Sequence, residues 1–335
     1  MVSICFRADG SREIGLGHLI RIAAIKSYLA KNSHYTFTLF TKYNVEGIDL
    51  GINPEELIYI PQFIKVEEEP AYIFENQKSD IVIIDGYSFN NSYFKHLKNL
   101  NCKVVCIKDF VELVTDVDVI INHAPGLTGS SYLGLTDAQV FTGLNYAMLR
   151  PEFLFKSQDF STINDKKTLT IILGGSDINN YTGLIISNIL GFNLNFKINA
   201  VCGIANPNIQ LLREFESENV SILLNLSGAE IKALYQTSDL IIASPSTSAI
   251  EVCAVGKPLG VIKTIENQAL IYRGLISDQL AFDLGTSQEI FNKEFRDLLY
   301  NYLTTFDTLN YADNQLKQLD SHIAERFNKI IEALC

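Results

Sequence analysis

The sequence predicts an α/β protein built as two successive parallel-sheet halves. Three observations carry this. Short apolar runs with strand character alternate with segments of helical period. The alternation restarts after a polar stretch. The length, 335 residues, is that of two ordinary domains rather than one.

Taken in order, residues 2–8 read as the first strand. Residues 19–30 read as a helix with Ile22, Ala23, Ile25 and Leu29 near one face. Strands follow at 35–40, 57–60, 81–85, 104–107 and 117–121, separated by helical or loop stretches, and such alternation implies βαβ units with right-handed crossovers. Ser157, Gln158, Asp159, Ser161, Thr162, Asn164 and Asp165 give residues 156–167 the composition of a linker, so the expected halves are 1–155 and 156–335. Further strands are expected at 169–173, 196–201, 220–223, 240–243 and 259–262. Helices are expected at 294–303 and 309–334.

With 47% hydrophobic and 19% charged residues the chain can bury a large core, which excludes wholesale disorder. A net charge of −11 without a Lys/Arg-rich run argues against nucleic acid or an anionic membrane as partner, because both need clustered positive charge. The longest apolar runs, such as 81–84 and 240–243, fall far short of the roughly 20 residues that span a bilayer, so no membrane insertion is expected. Neither a basic n-region nor a cleavage site precedes the first strand, so no signal peptide is expected. Cys5, Cys102, Cys106, Cys202, Cys253 and Cys335 lie mostly in apolar runs, the pattern of reduced core cysteines in a cytoplasmic protein. Cys102 and Cys106 have no second Cys/His pair at zinc-ligand spacing, and no metal is expected.

In open α/β sheets ligands bind beyond the carboxyl ends of the strands. The expected cleft residues therefore follow strands. After the first strand, Gly10, Gly15 and Gly17 make a loop that lets backbone amides approach an anion. The match of Gly15 and Gly17 to a dinucleotide fingerprint is loose, since Ile20 stands at the third glycine position, and no nicotinamide or flavin is expected. His18, at the helix start, reads either as a general base, favoured in its neutral form there, or as a residue that caps or packs the loop. Asp9 and Glu13 could orient that histidine or receive a sugar hydroxyl, or simply form turns. Of the other histidines only His123 falls just past a strand. Tyr87, in Asp85-Gly86-Tyr87, could contact a sugar or pack at an edge. Gly174-Gly175-Ser176-Asp177 suits a phosphate. Ser246, Thr247 and Ser248 suit a pyrophosphate or ordinary N-capping, and Glu251 could accept ribose hydroxyls.

Taken together, Phe6-Arg7-Ala8-Asp9-Gly10-Ser11, Ile14-Gly15-Leu16-Gly17-His18-Leu19-Ile20-Arg21, Ile84-Asp85-Gly86-Tyr87, Gly143 to Phe153, Gly174 to Asp177 and Glu266-Asn267-Gln268 resemble one family over residues 1–285. It is the family of UDP-2,4-diacetamido-2,4,6-trideoxy-β-L-altropyranose hydrolases of pseudaminic acid biosynthesis, with its spore-coat-type relatives. The resemblance implies a MurG-like GT-B fold of two Rossmann-like α/β domains facing a central cleft, with the nucleotide held mainly by the second. It implies His18 as the base that activates a water at the anomeric carbon, with inversion and release of UDP. Tyr87 would line the sugar site, and Asp9, Gly15, Gly17 and Arg21 would bind the substrate. Gly174, Gly175, Ser246, Thr247 and Ser248 would hold the pyrophosphate, Glu251 the ribose, and Asn267 would lie near nucleotide or sugar. No metal or organic cofactor is implied.

Two other functions fit the same residues. One is a GT-B glycosyltransferase, against which the acidic Glu67-Glu68-Glu69 speaks where an apolar basic acceptor patch would be expected. The other is a non-catalytic nucleotide-sugar-binding protein, for which a base at position 18 is unnecessary.

Overall fold

The computed structural model describes residues 1–11, 15–45, 50–154, 166–203, 206–306 and 311–335. Glu13 and most of the expected linker, residues 156–165, lie outside them. The chain forms two compact units, Met1–Pro151 with His322–Cys335, and Glu152–Ser321. The division falls close to the expected residue 155. The expected second half, 156–335, differs from the second unit because the final helix belongs to the first.

The first unit runs β1 (Val2–Ala8), α1 (Gly17–Leu29), β2 (Tyr35–Thr41), β3 (Leu57–Tyr59), α2 (Glu69–Asn76), β4 (Ile81–Asp85), α3 (Asn91–Asn99), β5 (Lys103–Ile107), β6 (Val119–Asn122) and β7 (Gln139–Thr142). The second runs β8 (Lys167–Ile172), α4 (Tyr181–Leu190), β9 (Phe196–Cys202), α5 (Ile209–Arg213), β10 (Val220–Leu224), α6 (Gly228–Thr237) and β11 (Leu240–Ala243). It continues with α7 (Thr247–Val255), β12 (Leu259–Lys263), α8 (Ala269–Ser277), β13 (Phe282–Thr286), α9 (Lys293–Thr305) and α10 (Tyr311–Gln318). Helix α11 (Ile323–Glu332) returns to the first unit.

Both sheets are parallel, with strand orders β3-β2-β1-β4-β5-β6-β7 and β10-β9-β8-β11-β12-β13. Central strands read as unbroken apolar runs because helices cover both faces; every residue of β4 and of β11 is buried. The strand order reverses between β1 and β4 in one sheet and between β8 and β11 in the other. At such reversals the loops leaving neighbouring strands diverge to opposite faces and open a crevice at the carboxyl edge.

Helix α11 presents Ile323, Phe327, Ile330 and Ile331 inward. Phe327 meets Tyr28 of α1 at 5.3 Å between ring centroids, and Asn328 donates to the Tyr28 carbonyl at 3.0 Å. The helix that carries His18 is thus braced from behind.

A second buried network ties down the front of the first unit. Arg7, at the end of β1, donates through Nε to Glu69 Oε2 at 2.8 Å and pairs with Asp9 at 2.7 Å, while Lys42 reaches Glu69 Oε1 at 2.8 Å. Arg7 and Glu69 are almost fully buried. Removing one partner of such a pair leaves an uncompensated charge inside. We expect Glu69→Ala to lower unfolding free energy by about 3–5 kcal/mol, read from urea midpoints.

Candidate active site

In the first unit the site is built where β1, β4, β5 and β6 end. Asp9 Oδ1 accepts from the Lys42 amide at 2.8 Å and from Thr41 Oγ1 at 3.1 Å, so this carboxylate joins the ends of β1 and β2 and is taken up by Arg7 rather than by the histidine. A Cβ on Gly10 would stand 2.4 Å from Leu19 Cδ1, so the loop passes against α1 as only glycine can. Gly15, at φ +78°, closes the loop by exchanging backbone hydrogen bonds with Ser11. Gly17 opens α1, and a Cβ there would meet no atom within 4 Å.

His18 follows and is 6% exposed. Its Nδ1 lies 2.7 Å from Asp85 Oδ1 at the end of β4. Arg21, one turn along α1, donates through Nε and Nη2 to the two oxygens of Asp85 at 2.8 and 2.7 Å. It also binds Asp109 just beyond β5, through Nη1 and through Nη2 at 3.1 Å. The two hydrogens of Nη2 are therefore spent on the two carboxylates, and its 2.8 Å approach to His18 Nδ1 is a contact, not a donation. An ionised carboxylate at 2.7 Å demands hydrogen on Nδ1. This leaves the Nε2 lone pair for other work, the tautomer a general base needs.

Burial alone would raise both carboxyls, but the Arg21 guanidinium outweighs it and holds Asp85 and Asp109 below the usual carboxylate range. Tyr87, 48% exposed, sets its ring edge-on to His18 at 4.7 Å and donates its hydroxyl to Asp109 Oδ2 at 2.5 Å. Gly86 precedes it at φ +156°, with Phe89 where a Cβ would be. His123, after β6, is buried; its Nδ1 accepts from the Met148 amide at 3.4 Å, which puts its hydrogen on Nε2, an atom without a hydrogen-bond partner.

Burial, with the nearby Arg21 charge, pulls His123 down to about 4. Because the unfolded chain takes up its proton near the ordinary value of about 6.5, this residue's contribution to stability is full above that pH and is lost as pH falls towards 4. Wild type should lose roughly 3 kcal/mol through it over that window, and His123→Gln should show a shallower acid slope in urea titrations.

In the second unit the corresponding edge is made by the loops after β8 and β11. A Cβ on Gly174, at φ +94°, would stand 4.0 Å from Ser244 Oγ, and one on Gly175 would meet nothing within 4 Å. These two loops are neighbours, and Gly175 is open in the direction its side chain would take, while its backbone packs against Gly203 on the other side. The start of α4 is not: Asp177 accepts from the Tyr181 and Thr182 amides at 2.9 Å each, and Asn180 from Gly183 at 3.3 Å. Burial raises Asp177, opposed by these bonds. The phosphate-suited part of this turn is thus the diglycine, not the helix behind it.

Helix α7 differs. Its N-cap, Ser246, makes no capping bond from its side chain, and Ser246, Thr247 and Ser248 are half-buried at its first turn. Glu251 is buried a turn further on. Asn267 lies on a short turn, Glu266–Gln268, after β12.

The structure therefore brings His18, Arg21 and Tyr87 together, sets Asp9, Gly15 and Gly17 in the supporting loop, and puts Gly174, Gly175, Ser246, Thr247 and Ser248 on adjacent loops of the second unit. Two residues of the site carry little signal in the sequence: Asp85 stands out there only as the neighbour of Tyr87, and Asp109 belongs to no motif, although it follows the strand ending at Ile107 by the same rule that singles out His123. Among the described residues no group of three or more His, Cys, Asp or Glu is arranged to hold a metal, and no helix is long and apolar enough to cross a membrane.

No family model matches the chain. Among curated proteins it is 28% identical over 289 residues to the uncharacterised protein MJ1062 of Methanocaldococcus jannaschii, an alignment covering 81% of this chain and 57% of that one, so the chain spans little more than half that relative's length. It is 25% identical to the UDP-2,4-diacetamido-2,4,6-trideoxy-β-L-altropyranose hydrolase of Campylobacter jejuni, over 80% of this chain and 93% of that protein. It is 22% identical to the spore coat polysaccharide biosynthesis protein SpsG of Bacillus subtilis, over 84% and 83%.

Solved structures with the same architecture include S. aureus MnaA with UDP, at TM-score 0.69 and 12% identity over 99% of this chain and 96% of that one. Acinetobacter baumannii MurG matches at 0.65 and 15% over 99% and 100%. At such identities these two show the fold alone. The relatives and the fold agree: this chain has a GT-B architecture of two Rossmann-like domains and resembles the group that contains the altropyranose hydrolase and SpsG.

Proposed function

We propose that the chain is a nucleotide-sugar hydrolase that releases UDP from a UDP-linked 2,4-diacetamido-2,4,6-trideoxyhexose, for nonulosonic acid biosynthesis of the pseudaminic type. The observation that carries this is the buried Asp85–His18 pair. Asp85 accepts from Nδ1–H, so Nε2 can take a proton from a water as that water attacks the anomeric carbon from the face opposite UDP. UDP is a good leaving group, and the step asks little more than a positioned base and donors for the departing diphosphate. It does not need the paired carboxylates that flank the bond in ordinary glycosidases.

The reading assigns the reacting bond to the Gly15 to Arg21 loop and Tyr87, and the nucleotide to Gly174, Gly175, Ser246, Thr247, Ser248, Glu251 and Asn267. It uses no metal or organic cofactor. The relative from Campylobacter jejuni, named as such a hydrolase, supports the substrate class. Five buried cysteines without disulfides support a cytoplasmic setting.

Free sugar and UDP, followed by NMR after adding a UDP-linked diacetamido-trideoxyhexose to purified protein, are the expected products. UDP formation only after a second sugar is added would make it a transferase. Binding without turnover under either condition would make it a binding protein. For the nucleotide side, Gly175→Ala adds a Cβ that meets no protein atom within 4 Å. We expect an unchanged melting temperature and at least about tenfold weaker UDP binding by calorimetry, the effect of displacing one diphosphate contact.

A further inference from the structure

Asp109 lies 88 residues from Arg21 along the chain and belongs to no motif, yet its carboxylate is the node at which two site groups meet. It is nearly buried, accepts both terminal nitrogens of Arg21, and accepts the Tyr87 hydroxyl at 2.5 Å. From Tyr87 the connection returns to His18, ring edge to ring, at 4.7 Å. The groups thus close a ring: His18, Asp85, Arg21, Asp109, Tyr87 and back to His18.

The charged and titratable groups around the imidazole can be counted by element. Arg21 on α1 carries one positive charge, Asp85 at the end of β4 and Asp109 beyond β5 carry one negative charge each, and Tyr87 is a neutral donor to Asp109. His123, beyond β6, is held neutral by its burial. A single guanidinium shared between two carboxylates leaves the surroundings of His18 with one net negative charge. If Asp109 were absent, Arg21 would neutralise Asp85 alone, and the carboxylate would accept from the His18 Nδ1–H more weakly.

We propose that Asp109 is a positioning residue with two separable effects: it tethers the Tyr87 ring against His18, and it takes up half of the Arg21 charge so that Asp85 acts on His18 undiminished. The proposal rests on reading His18 as the base. Its test uses the resting protein and no substrate, so a failure to hydrolyse UDP-sugars would overturn that reading without deciding this one.

In protein labelled with ¹⁵N-histidine, the His18 Nδ1–H proton is assigned by its loss in His18→Gln, and its downfield shift reads the strength of the hydrogen bond to Asp85. Asp109→Asn should move this proton upfield, because Arg21 then neutralises Asp85 alone, and Asp109→Glu, which keeps the charge, should restore it. Tyr87→Phe, a change at a half-exposed side chain, should keep that hydrogen bond and abolish only the ring-current displacement of the carbon-bound His18 ring protons. An unmoved or further downfield Nδ1–H proton in Asp109→Asn overturns the charge effect, and wild-type shifts of the carbon-bound His18 ring protons in Tyr87→Phe overturn the tether. Should Asp109→Asn not fold, the Glu and Phe variants still decide: an Nδ1–H proton moved upfield by Asp109→Glu contradicts the proposal.

Discussion

His18→Ala is expected to lower the rate of UDP release by about 10²–10⁴-fold, the range over which a positioned general base acts. Affinity for UDP should change by less than about threefold, because the residues proposed to hold the nucleotide lie in the other unit. The loss should therefore appear in kcat and leave KM nearly as it was. Single-turnover quench with excess enzyme separates the chemical step from product release. His18→Gln is the informative companion, since it keeps a polar side chain of similar reach that can bind a water but not take its proton. Equal losses for Ala and Gln mean proton transfer is what His18 supplies; an active Gln variant would mean that it only positions the water.

Asp85→Asn is expected to cost about 10³–10⁴-fold in kcat, for a different reason. The substitution is nearly isosteric, but an amide facing Nδ1 at 2.7 Å no longer demands a hydrogen there. The imidazole can turn to the tautomer with hydrogen on Nε2, which has nothing to offer a water. Arg21 would still hold Asp109, so the guanidinium stays in place and adds a charge that disfavours the protonated imidazole. Stability should fall as well, because Asp85 is buried and accepts three hydrogen bonds from His18 and Arg21. Activity is best compared well below the variant's melting temperature. A variant that keeps more than about a tenth of wild-type turnover would show that the tautomer is not set by Asp85.

Much of the fold could be read from the sequence because the central strands are buried on both faces and leave unbroken apolar runs: β1, β4 and β11 fall where those runs predict them. Two of the four edge strands could not. Gln139–Thr142 and Phe282–Thr286 each pair with one neighbour only and mix polar residues with apolar ones; the second also contains Gly285 at φ +84°. The expected helix at 309–334 divides into α10 and α11 at Leu319-Asp320-Ser321-His322, where Asp and Ser favour turns and caps over helix interior. That break allows the last helix to leave the second unit and brace α1.

The site shows the same division between local and non-local information. His18, Tyr87, the glycines and the serines follow predicted strands, and their position alone makes them candidates. What each one does depends on pairings across 64 to 88 residues: the turn of α1 that aims Arg21 at two strand ends, and the tautomer imposed by Asp85. Asp9 illustrates the converse. Its place in the loop suggested a partner for the histidine, but the closer Arg7, Thr41 and Lys42 take both of its oxygens. The acidic surface, with net charge −11, is compatible with an anionic ligand because the open groups of the second unit are backbone amides and hydroxyls and do not depend on surface potential.

The central claim is that water, activated by His18, displaces UDP at the anomeric carbon. Turnover of a UDP-linked diacetamido-trideoxyhexose in H₂¹⁸O, with no other acceptor present, tests it most directly. Mass spectrometry of the products should find one ¹⁸O on the free sugar and none on UDP, with ¹H NMR of the first product formed showing the anomeric configuration inverted. Label on the phosphate of UDP, or a UDP-sugar left intact by protein that binds it, would contradict the account.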